Sequence, residues 1–236
     1  MSIEISYREH VMSHIAKINF SGDPNIGLFG FATDKYCLLG VESKKIFRKV
    51  SDVLKVPVFH SSFLRTELLG IFSTGSSNGI IIPGIADDDE VEGIKKTSEK
   101  IFGDERVMLL DTNFALGNMI LMNDNGIILS SLLRKHGSAM ERFFGIPCKI
   151  STIARLGVVG SLALATNKGC LVHPRASKQE IEMLEKTLGV PVDVGTVGFG
   201  SPFPGAGVIA NSHGFVAAKE SSGYELGRID EALGFL

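Results

Sequence analysis

Five glycines, Gly27, Gly70, Gly117, Gly160 and Gly205, stand 43, 47, 43 and 45 residues apart. A fixed period of this size is the signature of a repeat architecture. Four of them are followed nine residues later by a second glycine, Gly79, Gly126, Gly169 or Gly214, and in the first copy Tyr36 takes that place. The fourth copy, residues 160–196, is the most complete. Its small apolar run 161–166, the turn Asn167-Lys168-Gly169 and the extended run 170–172 predict a hairpin, and Pro174 ends the second strand. Ser177 and Glu180 have the spacing of a capping box, and Ile181, Leu184 and Leu188 recur at helical intervals until Gly189. Residues 191–194 then read as a third strand.

The other copies repeat this order. The first predicts strands at 28–32, 37–41 and 56–59 around a helix at 43–54; the second predicts strands at 71–73, 80–82 and 106–110 around a helix ending near Phe102. Asp87, Asp88, Asp89 and Glu90 open that second helix, where acids complement the positive helix end, and they are read as capping rather than as a metal site. The third copy has its hairpin across Asn123-Asp124-Asn125-Gly126, a short or irregular helix at 138–144 and a strand at 148–153. The fifth has strands at 207–210 and 215–218 and a helix at 223–233, but no third strand. Residues 15–20 alternate as a strand with no helix before them. That orphan segment is expected to complete the fifth unit, because an open array would leave unpaired edges.

Composition sets further limits. With 236 residues the continuous period argues for one domain at 15–236, preceded by an extension at 1–14. A formal net charge of −2 excludes a globally basic nucleic-acid coat, so any RNA contact has to be a local patch. Cys37, Cys148 and Cys170 form no CxxC pair and read as reduced residues of a cytoplasmic protein. No membrane span or signal peptide is expected. His10 and His14 have the spacing of a helical metal pair but lack a third ligand. The first helix carries Lys44, Lys45, Arg48, Lys49 and Lys55, which form either a solvated face or an anion-binding one.

The segments ALGNMILMNDNGIIL, VGSLALATNKGCLVHP, PVDVGTV and ELGRIDEALGFL resemble the motifs of the archaeal translation initiation factor 6 family, and the similarity runs from Ile15 to Leu236. The resemblance implies the pentein fold, an α/β propeller of five units around a pseudo-fivefold axis, here closed by the N-terminal strand. It further implies binding to the large ribosomal subunit near the sarcin-ricin loop and ribosomal protein uL14, so that the small subunit cannot join. A role in large-subunit biogenesis is also compatible. Carried over by position, the resemblance implies that Asn118 in ALGN matches a position of the family's ribosome-facing surface, and that Phe203 in GSPFPGAG occupies a matching loop position where the family often has an aliphatic residue. The ending carries no acidic tail like that of eukaryotic members, which speaks against tail-based regulation.

The residues themselves point to a loop-built surface. The five loops Asp23-Pro24-Asn25, Leu64-Arg65-Thr66, Thr112-Asn113-Phe114, Ala154-Arg155-Leu156 and Ser201-Pro202-Phe203 precede the leading glycines and should emerge at one end of a ring. Arg65 and Arg155 suit phosphate or carboxylate forks, and Phe203 between two prolines makes a stiff apolar tip. Asn113, Ser201 and Pro202 complete the candidate ribosome-binding set.

The alternative is a guanidine-modifying pentein enzyme, which needs a nucleophilic Cys late in the chain beside a His. The fifth unit has no Cys, and Cys170 and His173, three apart on a strand, face opposite ways. The run Gly195-Thr196-Val197-Gly198-Phe199-Gly200 lacks dinucleotide-loop spacing. A monomer without catalytic residues, cofactor or metal is therefore expected.

Overall fold

A computed structural model describes residues 14–236 and shows five three-stranded sheets. After β1 (Ile15–Lys17), the first module runs through a 3-10 turn (Ile26–Phe29), β2 (Gly30–Ala32), β3 (Cys37–Leu39), α1 (Lys44–Leu54) and β4 (Val58–His60). The second comprises α2 (Leu69–Phe72), β5 (Thr74–Ser76), β6 (Gly79–Pro83), α3 (Asp88–Phe102) and β7 (Val107–Leu110). The third has α4 (Leu116–Met119), β8 (Ile120–Met122), β9 (Ile127–Ser130), a 3-10 stretch (Ser131–His136), α5 (Gly137–Phe144) and β10 (Cys148–Ser151). The fourth has α6 (Val159–Leu162), β11 (Ala163–Ala165), β12 (Cys170–Val172), α7 (Lys178–Leu188) and β13 (Val192–Val194), and the fifth α8 (Pro204–Gly207), β14 (Val208–Asn211), β15 (Gly214–Ala217) and α9 (Gly223–Ala232).

In every sheet the central strand pairs antiparallel with the strand before it and parallel with a third strand. In the fifth sheet the third strand is β1, with Ile15 opposite Phe215 and Lys17 opposite Ala217. The first strand among the described residues thus completes the last module, as its orphan position predicts. This is the five-unit α/β pentein architecture that the family resemblance implies.

The hydrophobic clusters follow the same cycle. Each takes residues from two consecutive modules: Leu38 joins the second module's core, Ile81 the third's, Ile128 the fourth's and Leu171 the fifth's. Ile209 and Val216 of the fifth module pack into the first with Val50 and Leu54. No module buries its apolar surface alone, so the modules stabilise one another.

Four sequence expectations change. Residues 28–32, 71–73, 161–166 and 207–210 are expected as strands, but Leu28 and Phe29 lie in the 3-10 turn, Ile71 and Phe72 in α2, Ser161 and Leu162 in α6, and Gly207 in α8. The reason is steric. The leading glycines sit in these one-turn segments, where a Cβ on Gly70 would collide with the Gly27 carbonyl oxygen, one on Gly117 with that of Gly70, one on Gly160 with that of Gly117, one on Gly205 with that of Gly160, and one on Gly27 with that of Gly205. The period therefore marks backbone-to-backbone contact between modules, and the contacts return to their start. These glycines line an axial cavity of about 80 Å³.

At the hairpin turns a second set repeats. Asn167 Nδ2 donates to Asp34 and Asp124, both at 2.7 Å, while Asp34 accepts from Ser212 N–H and Asp124 from Ser77 N–H, also at 2.7 Å. Tyr36, where a glycine is expected, is fully buried and donates its hydroxyl to the Gly79 carbonyl at 3.1 Å. His14 also joins the body: its ring nitrogen meets the buried Asp230 carboxylate at 2.7 Å. His10 lies outside the described residues.

Candidate functional site

Four turns at equivalent places precede the leading glycines. Three are closed by single bridges, Phe20 to Asp23, Phe63 to Thr66 and Ile153 to Leu156, and the fourth by Val197 to Ser201. Their tips are left-handed: Ser21 and Gly22, Leu64 and Arg65 (φ 51° and 55°), Ala154 and Arg155 (φ 51° and 65°), and Gly198, Phe199 and Gly200 (φ 56°, 68° and 97°). Consecutive positive φ values define the tight primed turns of hairpins. For residues other than glycine they cost about 1–3 kcal/mol each unless the surroundings hold them.

In three modules the holder is one glutamate. Glu90, Glu180 and Glu225 each occupy the third position of the following helix, and each accepts from the N-cap N–H of Asp87, Ser177 or Ser222 at 3.3, 2.8 and 2.8 Å. The same carboxylates accept from the turn: Glu90 from Arg65 N–H at 2.8 Å, Glu180 from Arg155 N–H at 3.3 Å, and Glu225 from Phe199 N–H at 3.1 Å and Gly200 N–H at 2.7 Å. A capping box thus also fastens the loop in front of it. Burial pushes the Glu180 and Glu225 carboxyls up, but the donors from Ser177 and Arg155, and from Ser222, Gly200 and Phe199, outweigh it and leave both below the ordinary carboxylate value.

The predicted site residues fall as follows. Arg65 is exposed and meets Asp87 only at 3.6 Å, a solvated pair of little energetic weight. Arg155 is exposed beside Arg175, Ser177 and Gln179 along an open groove. These two arginines hold equivalent positions in non-adjacent modules. Asn113 is exposed, next to Phe114, which is 40% exposed. Asn118, in α4, is half-buried, and its Oδ1 accepts from the Ser161 hydroxyl of the next module at 2.9 Å. Ser201 and Pro202 are half-buried, and Phe203 is 37% exposed with its ring edge-on to His173 at 6.2 Å.

One tip was missed. The fifth-module turn equivalent to those of Arg65 and Arg155 is 198–200, not 201–203, and its Phe199 ring is 82% exposed. The signal is an aromatic between two glycines, Gly198 and Gly200, which a left-handed tip accommodates. Phe114, Leu156 and Phe203 are likewise exposed apolar residues on the loops of modules three to five.

The groups that bear on the enzyme alternative are Cys170, which is buried, Cys148, which is half-buried, and His173. Burial pushes the Cys170 thiol up to about 12, and burial with the Glu141 carboxylate pushes Cys148 up to about 11. Burial, then the Arg175 charge, lowers His173. Among the described residues no group of three His, Cys, Asp or Glu side chains is placed to hold a metal ion, and no helix is long and apolar enough to cross a membrane.

The family model described as the eIF-6 family matches residues 15–232, which span all five modules. The chain belongs to the eIF-6 family. Similar eIF-6 relatives include the translation initiation factor 6 of Pyrococcus horikoshii, 38% identical over 94% of this chain and 100% of that protein. The factor of the same name from Methanocaldococcus jannaschii is 35% identical over 95% of this chain and 100% of its own length. Among solved structures, a dimethylarginine dimethylaminohydrolase adduct with S-methyl-L-thiocitrulline superposes with a TM-score of 0.47 at 14% identity, over 72% of this chain and 68% of that one.

Proposed function

We propose that this eIF-6 family member is a cytoplasmic translation factor that binds the large ribosomal subunit, near the sarcin-ricin loop and uL14, and keeps the small subunit away by its bulk. The observation that carries the reading is the set of exposed tips on clamped turns, Arg65, Arg155 and Phe199, with Phe203 beside them. Tips already held in one conformation lose little entropy on docking, and exposed aromatic and arginine side chains are the residue types enriched at interface hot spots. A compact body of this length has a radius of gyration of about 18 Å, large enough to obstruct a second subunit without any turnover.

Sedimentation of the protein with purified large and small subunits tests the reading. Retention on the large subunit alone, with Phe199→Ala and Phe203→Ala each weakening it at least about tenfold, is the expected result. Equal retention on both subunits or on neither rejects it, and citrulline release from arginine derivatives would replace it with the enzymatic reading. Asn118→Ala is a poorer probe, since it also removes the inter-module hydrogen bond from Ser161.

A further inference from the structure

Helices α3, α7 and α9 open with acids, Asp88, Asp89 and Glu90 in the first, Glu180 and Glu225 in the others. Helix α1 has no acid in its first turn and opens with Lys44 and Lys45. Two cations there stand against the positive end of the helix dipole, which lowers the stability of the helix. Arg48 and Lys49 follow one turn later on the same side, and Lys55 caps the end. All five are exposed, and Asp52 is the one acid in the segment, in a chain of net charge −2. Among the described residues none of the five lies within ion-pair distance of a carboxylate. Lys49 and Lys55 donate to the backbone carbonyls of Lys17 and Asp52, which leaves their charge uncompensated.

We propose that the outer face of α1 is a docking surface for the phosphate backbone of double-stranded RNA. Its apolar residues Val50, Val53 and Leu54 are buried, and Ile46 and Phe47 are half-buried against the same core, so the exposed face is cationic and offers neither a broad apolar side to a bilayer nor a freely exposed aromatic to unpaired bases. Four of the five cations are lysines, point charges that suit a line of phosphates better than the forked recognition of carboxylates. Duplex RNA is read through its backbone and shape, which needs no more than this. The inference depends on the large-subunit reading only for which RNA is met in the cell.

The test uses the full chain and a variant with Lys44→Gln, Lys45→Gln, Arg48→Gln and Lys49→Gln. Binding to a hairpin RNA of about 20 base pairs is followed by fluorescence anisotropy between about 50 and 200 mM KCl. The wild type is expected to bind with a log–log salt slope of about −3 to −4, and the variant to lose at least about tenfold in affinity and most of the slope. The variant should melt at or above the wild-type temperature, because its helix dipole is relieved. Replacing Lys44, Lys45 and Lys49 by arginine keeps the charge and should keep the binding.

Equal affinity and slope for wild type and variant overturns the proposal. So does wild-type binding to phosphatidylserine vesicles or poly-glutamate, but not to the hairpin. Phe199→Ala should leave hairpin binding unchanged, so failure of the loop-tip site and failure of the α1 surface give different results.

Discussion

The backbone N–H of Phe199 donates at 3.1 Å to the carboxylate of Glu225, which is 4% exposed and accepts in addition from Gly200 N–H, Ser222 N–H, the Ser222 hydroxyl and the Thr196 hydroxyl. One buried acid therefore holds an exposed aromatic in a left-handed conformation and caps the helix behind it. Glu225→Ala leaves these donors without their acceptor and is expected to cost about 3 kcal/mol in urea unfolding. Glu225→Gln, which keeps one oxygen acceptor, should cost less.

The same carboxylates set an acid limit. Glu180 and Glu225 titrate below their ordinary value of 4.5 in the folded chain, so the stabilisation they give is complete above that value. It is lost as pH falls below 4.5, through the folded-state values. Unfolding free energies measured from pH 6 down to about pH 3 should fall for the wild type. The decline should be shallower in Glu225→Gln.

Two glycines differ in what surrounds them. A Cβ on Gly117 would strike the Gly70 carbonyl across the module boundary, whereas one on Gly93, mid-way along α3, would meet nothing within 4 Å. Gly117→Ala is expected to destabilise by about 3 kcal/mol or to prevent folding. Gly93→Ala should stabilise by about 1 kcal/mol. Urea midpoints of the two variants check both signs.

Tyr36 reaches the carbonyl of Gly79 in the next module with its fully buried hydroxyl. Tyr36→Phe keeps the packing and removes the bond, so a loss of about 1–2 kcal/mol is expected in chemical denaturation.

His14 partners an Asp230 carboxylate that is 1% exposed. Removing its ring strands that acid, and His14→Ala should lower the unfolding free energy by about 3 kcal/mol. A smaller loss in the double variant His14→Ala, Asp230→Asn would show that the stranded charge is the cause.

The sequence by itself determined the number of modules, the order of elements within each and the need for residues 15–20 to complete the last, because period, capping chemistry and apolar spacing are local. Ser177 and Glu180 were legible as a capping box for the same reason. The second use of that glutamate, as acceptor for Arg155, was not, since nothing in the spacing says that a loop 25 residues earlier returns to the helix end. Phe199 was missed because its role depends on left-handed backbone, which only the folded turn imposes. The leading glycines gave the period away, but their physical cause, one backbone pressed against the preceding module's carbonyl, exists only between modules. Tertiary structure alone decided that as well as the shared cores, because both arise from contacts between modules, about 45 positions apart for consecutive modules and well over 100 where the fifth meets the first.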